Sequence, residues 1–123
     1  MWFGNNTVII IIGILAAIAI PTFLAQRDKA TIAACRSDTR NAAEAATLVA
    51  AENNGNYSTV TGGAAGTASQ QGWNQTNGIG PTTFTPQNGG AYIDIQTPCN
   101  NGLGTVTFTT NPADANKGRV TGP

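Results

Sequence analysis

Apolar and charged positions are sharply separated in the first half of the chain. An unbroken apolar run extends from Val8 to Ile20, and no charged residue precedes Arg27. At about 1.5 Å per helical residue, residues 8–24 would span roughly 26 Å, close to the hydrocarbon thickness of a bilayer. A chain of 123 residues has room for one compact domain and no second core to cover this segment. The pattern therefore predicts that lipid or other copies of the same segment cover it.

Helix-forming residues dominate from about residue 5 to residue 52. The part after Pro21 is rich in alanine, and its apolar positions form a stripe, as expected for an amphipathic helix. The members of this stripe are Ile32, Cys35, Leu48 and Val49, with alanines between them. Residues 53–56 (Asn-Asn-Gly-Asn) tolerate left-handed backbone geometry, so the helix is predicted to end at Glu52.

Gly13 and Pro21 are the predicted weak points of this helix. Proline has no backbone N–H to donate and clashes with the preceding turn. A kink or local unwinding is therefore expected at Pro21. Gly13, Ala16 and Ala17 recur at three- and four-residue spacing, which lets helices approach closely. This spacing favours packing against copies of the segment over a simple membrane anchor, for which bulky side chains would serve equally well.

The second half of the chain predicts a small antiparallel sheet after a long polar region. Residues 61–90 are dense in Gly, Thr, Gln, Asn and Pro, so long loops are expected there. Residues 91–97 and 105–109 alternate with period two, which places Ala91, Ile93 and Ile95, and then Val106 and Phe108, on one face. Residues 98–104 suit a hairpin connection. The fold class is thus α+β, with the amphipathic helix covering one face of the sheet.

Charge and residue types point away from several classes of function. The formal net charge is zero, so no electrostatic footprint indicates a nucleic-acid site. The chain has no histidine, and only Asp94 and Asp114 are acidic beyond residue 52, so we expect neither an enzyme, nor a metal site, nor a cofactor. Asn56 and Asn74 begin N-x-Ser/Thr triplets, which are weak candidates for glycosylation because such triplets often arise by chance.

Cys35 and Cys99 are the only cysteines. A bridge between them would close a loop of about 64 residues, worth roughly 4 kcal/mol by loss of unfolded-chain entropy. Two free buried thiols are the alternative. A disulfide is favoured if the chain is exported, and it would fasten the helix to the sheet.

Residues 13–27 (GILAAIAIPTFLAQR) resemble the N-terminal helix of bacterial type IV pilins and their pseudopilin relatives. The match is specific over about residues 8–30, and Asn-Gly-Asn-Tyr at 54–57 is also similar to many pilins. The resemblance implies a ladle-shaped subunit. Residues 1–24 would form a transmembrane and filament-core helix, residues 25–53 an amphipathic helix on the head, and residues 54–123 a loop-rich β head, with residues 57–90 facing outward.

The resemblance also implies the partners and the location of the protein. The subunit would wait in the inner membrane, meet the pilus assembly machinery, and join a helical homo-oligomer outside the cell. Motility, adhesion and DNA uptake are all compatible with such a fibre. Helix breaks are expected at Gly13 and Pro21. The residues expected to pack in the filament core are Val8, Ile9, Ile12, Gly13, Ala16, Ala17, Ile20, Pro21 and Leu24.

One position departs from the family pattern. Pilins usually carry a glutamate nine residues before the glycine that corresponds to Gly13, and this chain has Gly4 there. The prepilin cleavage signature is also absent. Either the start of the sequence differs from that of the gene, which we expect, or the subunit assembles without the charge pair that this glutamate makes. Two further functions stay open: a pseudopilin of a secretion or competence system, and a single-span membrane protein with a binding head.

Overall fold

The protein was analysed as a computed structural model. It describes residues 2–63, 65–100 and 102–123, and for residues 2–5 and 18–22 it describes the backbone alone. The fold is α+β, with a long N-terminal helix and a four-stranded antiparallel sheet. Contacts between Cα atoms divide the chain into two compact units, Met1–Ala30 and Thr31–Pro123. The predicted boundaries at residues 24 and 53 stay predictions.

Helix α1 extends from Trp2 to Glu52 and supplies the regular structure of the first unit. Its backbone is helical through Gly13 and Pro21, so no local unwinding is seen at either residue. A kink at Pro21 stays a prediction, because the side chain of that residue lies outside those described.

The predicted end of the helix is confirmed. Asn54 and Gly55 both have positive φ, at 56° and 82°. The N–H groups of Asn53 and Gly55 donate to the carbonyl of Ala50, at 3.0 and 2.7 Å. These bonds satisfy a carbonyl at the last turn, which is the ordinary role of a left-handed residue after a helix.

In the second unit, the helix buries one face against the sheet. Buried positions recur at three- and four-residue spacing, as the predicted amphipathic stripe requires. They include Cys35, Asp38, Thr39, Ala42, Ala45, Ala46 and Val49. Leu48 was expected in this stripe and is 51% exposed instead, because it lies on the neighbouring face of the helix.

The sheet has the order β1-β2-β3-β4, and every neighbouring pair is antiparallel. The strands are β1 (Thr83–Gln87), β2 (Tyr92–Cys99), β3 (Gly104–Thr109) and β4 (Val120–Thr121). Ile93, Ile95 and Val106 are fully buried, which confirms the period-two prediction for β2 and β3. Ile93 and Ile95 pack in one cluster with Trp73, whose ring contacts Phe84 edge-on at 5.4 Å between centroids.

Three expectations for this unit were wrong in detail. Residues 61–90 are not all loop: they contain a short helix α2 (Thr67–Gln70), strand β1 and a 3-10 turn at Asn88–Gly90. Ala91 is exposed, because it lies between the 3-10 turn and the first residue of β2. Phe108 is half-buried rather than fully inward, since part of its ring borders a surface groove.

Candidate functional site

The most unusual surface of the first unit is a helix that exposes large apolar side chains in succession. Side chains from Val8 to Leu15 are between 50% and 67% exposed, and Phe23 and Leu24 are 63% and 54% exposed. Successive helical residues are separated by about 100°, so an uninterrupted apolar run points in every direction around the axis. One partner surface on one side cannot cover it. Lipid or a bundle of similar helices could surround such a segment on all sides.

Small side chains in this segment would let another helix approach closely. Gly13, Ala16 and Ala17 are exposed, and a Cβ added at Gly13 would meet nothing within 4 Å. Of the residues predicted to pack in a filament core, Val8, Ile9, Ile12 and Leu24 are also exposed. The side chains of Ile20 and Pro21 lie outside the described residues. Packing of all these residues between copies stays a prediction.

The expectation of a transmembrane helix over residues 1–24 is not supported. Within the residues that the structure describes, no helix combines the length and the apolar character needed to cross a membrane.

The predicted disulfide is present in the second unit. Cys35 on the helix and Cys99 at the end of β2 are bonded, with their Cα atoms 5.7 Å apart. Both residues are buried in a cluster with Val106, against which Ile79, Leu103 and Val120 pack. The bridge therefore joins the helical layer to the sheet, as the sequence suggested.

A chain of buried hydroxyls runs beside the disulfide. The Thr39 hydroxyl donates to the carbonyl of Cys35 and lies 2.9 Å from the Thr97 hydroxyl, which in turn lies 2.9 Å from that of Thr82. Gln75 continues the chain, because its Nε2 donates to the Thr82 hydroxyl and its Oε1 accepts from the Thr82 N–H. Among the described side chains, no buried polar atom lacks a partner. The network is thus fully satisfied and offers no polar atom to a ligand.

Asp38 is the charged residue that sequence reasoning missed. The residue is 4% exposed, and its carboxylate accepts bonds from the Thr76 N–H at 2.9 Å and the Thr76 hydroxyl at 2.6 Å. Its backbone carbonyl accepts from the indole N–H of Trp73 at 3.2 Å. Asp38 therefore holds the polar segment after α2 against the helix. The available signal was its position three residues after Cys35, on the same helical face.

The second unit carries an open groove of about 990 Å³. Its apolar lining comes from Leu48 on the helix and from Phe108 and Val120 on the sheet, and its charged lining comes from Arg40, Glu44 and Arg119. Among the described residues these three charges form no ion pair, although Arg40 and Glu44 lie one helical turn apart. The groove thus combines exposed apolar surface with charges that lack an ionic partner in the described chain.

The two glycosylation candidates differ in their surroundings. The Asn56 side-chain nitrogen donates to the Gly89 carbonyl at 3.1 Å, and its oxygen accepts from the Ser58 N–H at 2.7 Å. Asn74 is exposed. Modification at either residue stays a prediction, and in the described part of the chain no three His, Cys, Asp or Glu side chains are grouped as a metal site would need.

Comparisons with known proteins give no relative. No protein-family model matches the chain, and neither a curated protein nor a solved structure is significantly similar to it.

Proposed function

We propose that this protein is the structural subunit of a type IV pilus-like extracellular filament. Residues 8–24 of many copies pack together as the core, and the disulfide-bonded second unit forms the outer shell. The observation that carries the proposal is the run of exposed apolar side chains around the whole circumference of the helix. Assembly machinery of the kind that polymerises pilins is the expected partner.

The energetics favour association through this segment. Burying a Val, Leu or Ile side chain stabilises by about 1.5–3 kcal/mol, so the run from Val8 to Leu15 offers on the order of 10 kcal/mol per copy before the cost of association. The first charge along the chain is Arg27, so the packed segment would bury no unpaired side-chain charge. The small side chains at positions 13, 16 and 17 allow neighbouring helices to approach closely.

Three further features fit an exported filament subunit. The disulfide requires an oxidising compartment. The fold, with a long N-terminal helix and a four-stranded antiparallel sheet, is compatible with that of a pilin. The segment at residues 13–27 resembles the pilin N-terminal helix.

The substitution Ala17→Arg tests the proposal. An arginine in a packed apolar core would bury an unpaired charge, so filaments should be absent from sheared cell-surface material viewed by electron microscopy. The matched control is Ala33→Arg, which places the same residue at an exposed position of the same helix beyond the apolar segment. Filaments should persist in the control. In both variants the Cys35–Cys99 disulfide should form, which shows that the second unit is folded. Normal filaments from Ala17→Arg would contradict the proposal.

A further inference from the structure

The chain contains four Asn-Gly dipeptides, at residues 54–55, 77–78, 88–89 and 101–102. In this dipeptide the glycine nitrogen can attack the carbonyl of the asparagine side chain, because glycine has no Cβ to block the approach. The attack requires the peptide unit between the two residues to rotate, so a hydrogen bond on that unit opposes it. Asn101 lies outside the described residues, which leaves three pairs to compare.

Two of these three pairs are held by hydrogen bonds of the folded chain. After the last turn of α1, the Gly55 N–H donates to the Ala50 carbonyl at 2.7 Å. In the 3-10 turn, the Asn88 carbonyl accepts from the Ala91 N–H at 3.3 Å. Asn54 and Asn88 are both exposed, so these hydrogen bonds, rather than burial, restrain their peptide units.

The third pair, Asn77–Gly78, forms the tip of a turn whose hydrogen bond bypasses it. The Ile79 N–H donates to the Thr76 carbonyl at 3.2 Å, and Gly78 has a φ of 82°, as a type II turn requires of its third residue. Among the described residues, neither the Asn77 carbonyl and side chain nor the Gly78 N–H takes part in a hydrogen bond. Both residues are exposed, and a Cβ added at Gly78 would meet nothing within 4 Å. No hydrogen bond therefore opposes the approach of the two reacting atoms.

We propose that Asn77 is a self-modification site, at which the folded chain converts its own asparagine to aspartate and isoaspartate. The Gly78 nitrogen, after losing its proton to hydroxide, forms a bond to Cγ of Asn77. The bond from Cγ to Nδ2 breaks, and ammonia leaves with a proton from water. Water then opens the cyclic imide, at Cγ to give aspartate or at the backbone carbonyl carbon to give isoaspartate. The net reaction consumes one water and releases one ammonia. It uses groups of a single chain, so the inference does not rest on the proposed function.

The reaction would place a charge in a part of the chain that has none. Residues 53–93 contain no charged side chain. Asn77 also directly follows Thr76, whose N–H and hydroxyl donate to the buried Asp38 carboxylate at 2.9 and 2.6 Å. Isoaspartate adds a carbon to the backbone immediately after this anchor, so the hydrogen bond from Ile79 to Thr76 should be lost. The site thus provides a slow, irreversible change of charge and shape in the polar segment after α2.

Heavy-oxygen water tests the site in the intact chain, kept folded in mild detergent and mildly alkaline buffer. The ring-opening step retains an oxygen atom of that water, and peptide mapping by mass spectrometry locates it. We expect label at residue 77 to accumulate about tenfold faster than at residue 54, because the Gly55 N–H must first leave its acceptor. The rate at residue 77 should also rise with pH, since hydroxide removes the Gly78 proton. Equal rates at the two residues, or no label at residue 77, would overturn the inference.

Two controls separate the effect of the fold from that of the local sequence. In guanidinium with reductant the hydrogen bond of Gly55 is lost, so residues 54 and 77 should take up label at similar rates. A preference for residue 77 that persists in the unfolded chain would show that the turn does not select it. The variant Asn77→Gln would have to close a larger ring, so its peptide should take up no label while residue 54 reacts at its original rate. Continued labelling of that peptide would also contradict the assignment. Neither measurement needs filaments, so a failure of the proposed function leaves both results unchanged.

Discussion

At the scale of single residues, Gly90 shows how tightly the second unit is packed at a turn. Its φ is 92°, its carbonyl accepts from the Tyr57 N–H at 2.9 Å, and an added Cβ would collide with the Asn56 side-chain oxygen. Gly89 also has positive φ, at 68°, but an added Cβ there would meet nothing within 4 Å. Both glycines therefore have left-handed backbone geometry, but only at Gly90 would an added Cβ collide with neighbouring atoms.

This difference gives a matched pair of variants. Gly89→Ala should lower the free energy of unfolding by about 1–2 kcal/mol, through left-handed backbone strain alone. Gly90→Ala should lower it by about 1–3 kcal/mol more, because both the Asn56 side chain and the Ser58 backbone nitrogen must move. Guanidinium denaturation in mild detergent measures both. Equal losses in the two variants would show that the contact with Asn56 does not limit the turn.

The buried carboxylate of Asp38 gives a second prediction at this scale. Asp38→Ala removes the acceptor of two part-buried hydrogen bonds from Thr76, which is itself exposed, so we expect a loss of about 1–2 kcal/mol. The control is Ser37→Ala, the adjacent and exposed position of the same helix, which should change stability by less than about 0.5 kcal/mol. The readout is again the denaturation midpoint, and a loss in Asp38→Ala as small as in the control would contradict the assigned role.

At the scale of elements, the sequence predicted the strands that are long enough to show a periodic pattern. Alternation identified β2 and β3 because each is long enough to repeat its pattern. It missed β1, in which Pro86 interrupts the strand pattern; the strand tolerates proline because it lies at the edge of the sheet. It missed β4 because two residues carry no period. β1 pairs with β2, and β4 pairs with β3. Their formation depends on these contacts in the folded protein, which the local sequence pattern does not show.

The disulfide is the element-scale link between the helix and the sheet. The double variant Cys35→Ala/Cys99→Ala should lose about 2–5 kcal/mol, because the unfolded chain regains the freedom that a closure over 64 residues removes. Thermal unfolding of both proteins, with and without reducing agent, provides the control. Reductant should lower the stability of the native chain and leave that of the double variant unchanged. A stability independent of reductant in both would show that the bridge contributes nothing measurable.

At the scale of the whole molecule, the two candidate surfaces differ in how far sequence could identify them. The apolar segment is contiguous, so its exposure was predictable from residues 8–24 alone. The groove joins residues 40–48 to Phe108 and to residues 116–121, which come together only through strand order and the helix–sheet packing. No local pattern marks such a surface. The groove therefore emerged from the structure alone.

The apolar segment gives the last prediction, because its packing should depend on solvent in a way that charge pairs would not. Residues 8–24 carry no charge, so filaments should persist when salt rises to about 1 M, where the screening length falls to about 3 Å. Nonionic detergent should disassemble them, because it covers apolar side chains as neighbouring copies would. Filaments that dissolve in salt and survive detergent would show that charge pairs, rather than the apolar helix, hold the assembly together.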